Sequence, residues 1–446
     1  MLDLVTAITG SAAVILLATA AVGTPGNAEN PQAVKEVLAG KRPVANAAWW
    51  RFDEEDATEA LQAAINSRAK TVIVPNMTKD WIVRPITLVG NQELVLEDGV
   101  VITAKRGEYR TGGASVFTAQ DLSNLTIRGY GAAVRMQKED YIVGKVLLDM
   151  GMGRWFGQYE KAEWRMPLSI RGCTNVRVFG LTLRDSGGDG IYIAGSQKLP
   201  CCKDIHLKDV VCDNNYRQGI SVIGVDGLLV ENSVFQNTWG TPPSAGVDLE
   251  PDSPNEILHN IVFRNCLFKD NYGDGIQVFL AHLTPESGDV SIRFENCRVS
   301  SRRGSGIRVT KVRDTGPGGL IEFRDCVVEN TQAYGIKVQE KSADRARLKF
   351  VNCTVRNAAN NRSYADAWAP ILLSLKQMKS FGGIDFVACL VEDDRDRPAI
   401  VAEKQDPNGG IFDITGTIAV RNPFGVKTAL GDKQQGVTLV VTKSEE

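Results

Sequence analysis

A short motif recurs six times in the middle of the chain: a glycine followed by alternating apolar and polar residues. It reads GIYIA at 190–194, GISVI at 219–223, GVDLE at 246–250, GIQVF at 275–279, GIRVT at 306–310 and GIKVQ at 335–339. The glycines are 29, 27, 29, 31 and 29 residues apart. Alternation is typical of a strand with one buried face, and a near-constant period is typical of a solenoid whose repeats bury their apolar sides against each other. We therefore expect each repeat to be one coil.

A second strand is indicated in each coil by a segment that ends in cysteine. The segments are FRNC at 263–266, FENC at 294–297, FRDC at 323–326, FVNC at 350–353 and FVAC at 386–389. Cysteine at one recurring position behaves as a small apolar residue in a stacked core column. The stretches between the two strands leave no room for a helix, so the prediction is an all-β chain folded as a parallel β-helix. Asn and Asp recur at the intervening turn, which predicts a structural ladder there: Asp185, Asp213, Asn237, Asp270, Asn330 and Asn357.

The ends of the chain differ from the repeats. The apolar run at 12–22, followed by Thr24-Pro25-Gly26, predicts an export signal or a membrane anchor over 1–24, and hence a secreted or periplasmic protein. We expect an N-terminal cap over 25–75, the β-helix over 76–422 and a C-terminal cap or tail over 423–446. Within the N-terminal cap, an amphipathic helix from Asp56 is predicted, with Glu59 in a capping box and Leu61 and Ile65 on its buried face.

Charge and cysteine usage exclude several functions. A formal net charge of −2 gives no overall reason to bind nucleic acid, or a membrane beyond an N-terminal anchor. Stacked cysteines do not form a tetrahedral cage and the three histidines are scattered, so no metal site is expected. A disulfide between Cys173 and Cys201 or Cys202 stays open, as does the oligomeric state.

Acidic residues concentrate on the outward face of the middle coils. Residues two apart in a strand share a face, which places Asp248 and Glu250 side by side, roughly 6.5 to 7 Å apart at the backbone. An inverting glycosidase needs two carboxyls about 6.5 to 9.5 Å apart, one as acid and one as base. Asp189 and Asp274, in the turn before the strands, are further candidates for the second carboxyl. The competing interpretation is that these acids are solvated surface residues.

Cationic, polar and aromatic residues around these acids are candidate substrate-binding groups. Their types suit the carboxylates and ring faces of a uronic-acid polysaccharide; they are Tyr192, Arg217, Trp239, Gln277, Arg308, Lys311 and Lys337. A polysaccharide lyase or an epimerase would use a Lys or Arg to abstract a proton, and a lyase could hold Ca²⁺ on the acids. Otherwise no cofactor is expected. A non-catalytic glycan-binding or surface protein is the third alternative.

From about Asp53 to about Asn422 the chain resembles the pectate-lyase/polygalacturonase-like superfamily of right-handed parallel β-helix proteins. The resemblance is carried by DATEALQAAINSRAKTVIVPN and WIVRPITLVGNQELVLEDGVVI, and by coils such as RDSGGDGIYI and NYGDGIQV. It implies a right-handed coil and a polysaccharide substrate. The polygalacturonase pattern is incomplete, since the adjacent aspartates have no counterpart on the corresponding strand and GHG is replaced by Gly273-Asp274-Gly275. The RIK motif is matched only loosely, by residues 308–311.

Overall fold

The computed structural model describes residues 26–142, 150–151, 159–160, 162–361, 369–376, 378–404, 409–431 and 434–444. The predicted export segment, 1–24, lies outside the described residues. Within the described part, no helix is long and apolar enough to cross a membrane.

Two α-helices and two short 3₁₀ helices accompany the strands of the described chain. The helices are α1 (Pro31–Leu38) and α2 (Thr58–Asn66), and the 3₁₀ helices span Ala47–Trp50 and Pro285–Ser287. The strands up to the first six-fold motif are β1 (Val44–Asn46), β2 (Thr71–Val74), β3 (Trp81–Val83), β4 (Ile86–Thr87), β5 (Gln92–Leu96), β6 (Val101–Ala104), β7 (Phe117–Gln120), β8 (Ser123–Arg135), β9 (Leu168–Arg171) and β10 (Thr174–Arg184). The middle strands are β11 (Ile191–Ala194), β12 (Cys202–Lys208), β13 (Val211–Asp213), β14 (Ile220–Val222), β15 (Val225–Glu231), β16 (Val234–Gln236), β17 (Val247–Leu249), β18 (Leu258–Arg264), β19 (Leu267–Asn271), β20 (Ile276–Phe279), β21 (Val290–Glu295), β22 (Arg298–Ser301), β23 (Ile307–Val312), β24 (Gly319–Arg324), β25 (Val327–Thr331) and β26 (Ile336–Lys341). The last strands are β27 (Arg347–Val351), β28 (Thr354–Arg356), β29 (Ile371–Leu375), β30 (Ser380–Glu392), β31 (Ile400–Lys404), β32 (Gly410–Arg421), β33 (Thr428–Ala429), β34 (Gln434–Gln435) and β35 (Thr438–Lys443).

The strands stack into one 23-stranded sheet and one 12-stranded sheet, and each strand pairs in parallel with its equivalents in the neighbouring coils. One coil consists of a strand of the smaller sheet, a turn, one or two strands of the larger sheet and a second turn. β11, β12, β13 and then β14 follow this path. The predicted right-handed parallel β-helix is confirmed.

The glycine motif that recurs six times forms the middle strands of the smaller sheet, in the predicted register. Tyr192 pairs with Ser221, Ser221 with Asp248, Asp248 with Gln277, and the column continues through Arg308 and Lys337. The repeated glycine has a steric reason. A Cβ added at Gly190, Gly219, Gly246, Gly275 or Gly306 would lie 2.4 to 2.9 Å from the carbonyl oxygen of the equivalent glycine one coil on. Coils can approach this closely only where the side chain is absent.

The core contains stacked columns of identical residues. Phe263, Phe294, Phe323, Phe350 and Phe386 stack face to face, with ring centroids 4.9 to 5.3 Å apart. The cysteine column is buried beside them, and the thiol of each later cysteine donates to the carbonyl of a phenylalanine, as Cys326 does to Phe294. All nine cysteines are free thiols. The prediction that the column is apolar packing is confirmed, and the bridge from Cys173 that the sequence left open is absent.

The coiled region extends beyond the boundaries predicted for it. β1 already pairs with β2 inside the expected N-terminal cap, and β33, β34 and β35 extend both sheets into the expected C-terminal tail. α2 buries Leu61 and Ile65 as predicted, but the capping box is wrong. Asp56 accepts hydrogen bonds from Thr58 and Lys105, while the Glu59 side chain is exposed.

In one coil, the residue that occupies the turn ladder is one position later in the sequence than predicted. Asn214, and not Asp213, takes the left-handed conformation that Asp185 and Asn237 take in the coils on either side. Its side-chain amide donates to Asp185, and the amide of Asn237 donates to Asp213. Asx side chains thus link successive turns, which is their ordinary structural role.

Candidate active site

The predicted acids lie on one wall, the outward side of the smaller sheet and the turn that leads into it. Backbone hydrogen bonds from Gly190 to Gln218, Gly219 to Ala245 and Gly246 to Asp274 confirm the turn column. Successive coils are about 4.8 Å apart. Asp189 and Asp248 therefore lie two coils apart, on either side of the coil that carries Arg217, and form one cluster with Arg217 and Glu250, whereas Asp274 lies one coil beyond Asp248.

The wall is not the open surface that the sequence suggested. Asp248 is 1% exposed and Asp189 is fully buried, because neighbouring side chains cover this part of the sheet. Gln218 Nε2 donates to Asp248 Oδ2 at 2.8 Å, and Gln277 Nε2 donates to Oδ1 at 3.0 Å. Gln277 therefore holds an acid in place, although it was predicted to bind substrate.

The carboxyls of Asp248 and Glu250 are neighbours on the outward face of the strand. Burial, the charge of Glu250 and a hydrogen bond with Glu250 raise the pKa of Asp248 well above its ordinary value. Asp248 therefore binds a proton more tightly than an ordinary aspartate does. These two carboxyls interact directly. They are therefore closer together than the acid and the base of an inverting hydrolase, which are about 6.5 to 9.5 Å apart. Asp248 and Glu250 are one pair of interacting carboxyls, and the second carboxyl of such a mechanism has to come from elsewhere.

Arg217 lies at the centre of the cluster and faces three carboxyls. Its Nε is 3.5 Å from Glu163 Oε2, Nη1 is 3.8 Å from Asp189 Oδ2 and Nη2 is 3.9 Å from Glu250 Oε2. Burial lowers the pKa of Arg217, but the surrounding acids outweigh this effect and the pKa is raised. The guanidinium is therefore a fixed positive charge among acids, and its distance from each of them is longer than in a close ion pair.

Glu163 is the member of this cluster that the sequence did not reveal. Its Oε1 accepts a hydrogen bond from Thr241 Oγ1 at 2.8 Å. The segment that carries it is held by the buried Arg165, which donates to the carbonyls of Tyr109, Arg110 and Glu160. A Cβ at Gly188 would lie 2.3 Å from the Glu163 carbonyl oxygen, so a glycine there lets the segment approach. The segment has no periodic pattern, which is why no sequence signal pointed to it.

Exposure separates the acids that a ligand can reach from those that it cannot. The side chains of Glu163 and Glu250 are 33% and 25% exposed, and that of Arg217 is 18% exposed. Asp189 lies behind them. Burial raises the pKa of Asp189 to about 7, against the opposing effect of Arg217. The Ser221 hydroxyl faces Asp189 without reaching hydrogen-bonding geometry.

A second polar group begins one coil further along the wall. Asp274 Oδ1 accepts from the backbone of Ser305, and Oδ2 is 3.6 Å from Arg308 Nη1. Burial raises the pKa of Asp274. Burial and the charge of Arg308 lower the pKa of Lys337, whose Nζ lies 5.7 Å from the centre of the Tyr334 ring.

Three predicted substrate-binding residues lie apart from both groups. Tyr192 is buried beneath Arg171, with Ile223 among its apolar neighbours. Lys311 is ion-paired with Glu340. Trp239 is on the turn, 43% exposed. Among the described residues, no cluster of three or more His, Cys, Asp or Glu side chains could hold a metal ion. The guanidinium of Arg217 among the acids also opposes a cation there.

Residues 167–288 and 286–371 match the family described as "Right handed beta helix region". This match agrees with the right-handed parallel β-helix fold of the chain. It is 25% identical over 308 residues to the SPbeta prophage-derived uncharacterized protein YorA of Bacillus subtilis, a match over 62% of this chain and 48% of the relative. The chain spans about half the length of the curated relatives it matches, or less.

Solved structures share the fold at low sequence identity. The mannuronan C-5 epimerase AlgE4 A-module of Azotobacter vinelandii matches with a TM-score of 0.58 at 13% identity, over 90% of this chain and 98% of that one. The GH87 α-1,3-glucanase of Streptomyces thermodiastaticus matches with 0.58 at 13%, over 96% and 69%. The family 28 exopolygalacturonase of Yersinia enterocolitica matches with 0.56 at 13%, over 91% and 79%. The resemblance to this superfamily is thereby confirmed for the fold.

Proposed function

We propose that the protein is a carbohydrate-active enzyme that hydrolyses glycosidic bonds in a polysaccharide. One observation carries the proposal: Glu163 and Glu250, the two partly exposed carboxyls of the cluster, face the same guanidinium, and Glu250 interacts with the buried Asp248, whose pKa is raised. The three solved structures named above are an epimerase, a glucanase and an exopolygalacturonase, which supports a polysaccharide substrate. A polymer outside the cell also fits the export predicted from residues 12–22.

Hydrolysis uses the two exposed carboxyls in opposite roles. Glu250 delivers the proton shared with Asp248 to the glycosidic oxygen as the bond from that oxygen to the anomeric carbon breaks. Glu163 accepts a proton from a water molecule, whose oxygen forms the new bond to the anomeric carbon. Afterwards Glu163 holds the proton that the Asp248–Glu250 pair has lost, and exchange with solvent restores the starting state.

The buried residues act through these two. Arg217 orients both glutamates and supplies positive charge where the leaving oxygen develops negative charge. Asp189 faces the far side of Arg217 and fixes the guanidinium. Asp248 holds the proton in a site that water does not reach, so we assign it a positioning role and not contact with substrate.

Glu250→Gln tests this assignment most directly. We expect the rate of reducing-end release from a polysaccharide to fall by about 10³-fold or more, because glutamine cannot transfer a proton. Reducing ends and ultraviolet absorbance are followed together on polygalacturonate, alginate and an α-1,3-glucan. Hydrolysis produces reducing ends without an unsaturated product.

Glu295→Gln is the matched control, since Glu295 is also an outward, arginine-paired glutamate but lies on the larger sheet. It should keep full activity. Activity that survives in Glu250→Gln would remove Glu250 from catalysis. Glu163→Gln should lose activity to a similar degree, with an unchanged circular dichroism spectrum.

A lyase or an epimerase is the second candidate, and Lys337 favours it. Its pKa is lowered by burial and by Arg308, which would suit a base that abstracts a proton next to a sugar carboxylate. An ultraviolet-absorbing product that Lys337→Met abolishes, while Glu250→Gln does not, would support β-elimination. A role for Ca²⁺ in this alternative is tested by adding a chelator to the same assay.

A further inference from the structure

Aromatic residues occupy one position on three successive turns beside the acid cluster. The backbone of Trp239 donates to the Asn215 carbonyl and that of Tyr272 to the Thr238 carbonyl, which sets Tyr216, Trp239 and Tyr272 one coil apart in a column. Tyr216 is buried, whereas Trp239 and Tyr272 are each 43% exposed. Two large rings are thus presented to solvent from turns whose backbones are about 4.8 Å apart along the helix axis.

Polar neighbours fix the orientation of both rings. Trp239 Nε1 donates to Asn214 Oδ1 at 2.9 Å, and Lys138 Nζ lies 4.2 Å from the ring centre. The Arg303 guanidinium lies 5.4 Å from the centre of the Tyr272 ring and donates to its hydroxyl. Rings held in this way lose little conformational freedom when a ligand packs on them.

One polar cavity is lined by Tyr272, and another is lined by Lys138 and Asn214, the two residues that contact the Trp239 ring. The cavity beside Trp239 has a volume of about 310 Å³, and its lining includes Arg106, Arg135, Lys138, Asp185 and Asn214. The cavity beside Tyr272 has a volume of about 360 Å³, and its lining includes Pro243, Tyr272, Asp274, Arg303 and Arg308. Both volumes fall at the lower end of the range for small-molecule sites, about 300 to 1,000 Å³. Charged and amide groups in them can bond hydroxyls.

We infer that Trp239, Tyr272 and the two cavities form a glycan-binding track across this turn, at the edge of the catalytic wall. A sugar chain combines apolar ring faces, which pack on aromatic rings, with hydroxyls that require polar partners. The rise of one coil is close to the advance per sugar of an extended pyranose chain, so consecutive sugars can meet consecutive rings. The inference deepens the proposed function and rests on it for the class of ligand.

The track is joined to the acid cluster by the same stretch of chain. Two residues after Trp239, Thr241 donates its hydroxyl hydrogen bond to Glu163. Further along this stretch, the Pro243 carbonyl packs so closely on Gly273, beside Tyr272, that a Cβ there would lie 1.7 Å from it. A polymer held on the track therefore lies beside the exposed glutamates, which raises its concentration at the site without a part in bond cleavage.

The test measures binding and turnover separately on the full chain. Binding of polygalacturonate, alginate and an α-1,3-glucan is followed by affinity electrophoresis, and turnover by reducing ends from each polymer and from its tetrasaccharide. The double variant Trp239→Ala/Tyr272→Ala should bind the preferred polymer at least 10-fold more weakly. Its turnover of the tetrasaccharide should fall by a smaller factor than its turnover of the polymer. The double variant Trp239→Phe/Tyr272→Phe keeps both rings and should retain most of the binding.

Each result decides one of the two proposals. The Glu250→Gln variant should bind the polymer like the native protein and should not hydrolyse it. Hydrolysis by that variant would contradict the proposed function and would leave the proposed track unaffected. Phe424→Ala removes another exposed ring, 56% exposed, from the C-terminal end and should change nothing. Native-like polymer binding by the alanine double variant, an equal loss in Phe424→Ala, or no binding of any polymer by the native protein would overturn the track.

Discussion

Two outward surfaces of this β-helix carry the same residue types and use them differently. On the larger sheet, arginines and glutamates alternate along the coils in close ion pairs, such as Arg264 with Glu295 at 2.8 Å and Arg298 with Glu329 at 2.6 Å. On the wall of the smaller sheet, Arg217 stays 3.5 to 3.9 Å from its three acids. The charged groups of the larger sheet are closely paired, whereas those of the smaller-sheet wall are further apart and leave room for a ligand.

The pKa values of the acids on the two surfaces are shifted in opposite directions, because the acids of the larger sheet have close arginine partners and those of the wall do not. Burial acts to raise the pKa of Glu295 and of Glu329, but the hydrogen bonds from their arginines outweigh it and the pKa of each is lowered. At Asp189 and Asp248 burial dominates and the pKa is raised. Charge pattern alone therefore does not separate structural acids from candidate catalytic ones, whereas burial and contact distance do.

The largest expected effect is on the pH dependence of stability, through Asp189→Asn. The pKa of Asp189 is about 7 in the folded protein and 3.8 as its ordinary value, so the folded state binds the proton more tightly. Its stabilising contribution is complete below the ordinary value and is lost as pH rises through 7. Ionisation should cost a few kcal/mol, about 1.4 per pKa unit. Urea unfolding at pH 4 to 8 should show the variant gaining stability over the native protein as pH rises; parallel curves would contradict the burial of this acid.

Asp248→Asn should come next, with a loss of turnover of about 10²-fold. Asparagine keeps the shape of the side chain, but its single oxygen can accept from only one of Gln218 and Gln277, and it has no acidic proton to give to Glu250. We expect the substrate KM to stay within about two-fold, because Asp248 does not meet the ligand. Asp270→Asn, the same change on the turn ladder, is the control. Unchanged turnover would leave Asp248 with a purely structural role.

The smallest effect is expected on the larger sheet. Glu295→Gln should lower the free energy of unfolding by less than about 1 kcal/mol, as is usual for partly exposed ion pairs. The pKa of Glu295 is lowered, so its contribution is present above the ordinary value and is lost as pH falls through the folded value. Urea midpoints of the variant and the native protein should converge at low pH. Convergence at high pH would contradict the contrast between the two surfaces.

The sequence by itself determined the coil, because strand pairing repeats a local pattern. Alternation after each glycine fixes which side chains face the core, and the constant period fixes which residues meet in the next coil. The column from Tyr192 to Lys337 and the phenylalanine and cysteine columns were predictable for this reason.

Tertiary structure decided the site. Whether an outward acid is solvated depends on which side chains pack over it. Part of the packing over this wall comes from irregular segments that do not belong to the repeat. Glu163 reaches the wall because Arg165 anchors its segment and Gly188 leaves space for it, and neither relation has a sequence spacing. The pairing of Asp248 with Glu250 depends on side-chain rotamers, which a strand pattern does not fix. Backbone periodicity sets the position of a residue, whereas burial and side-chain contacts set its chemistry.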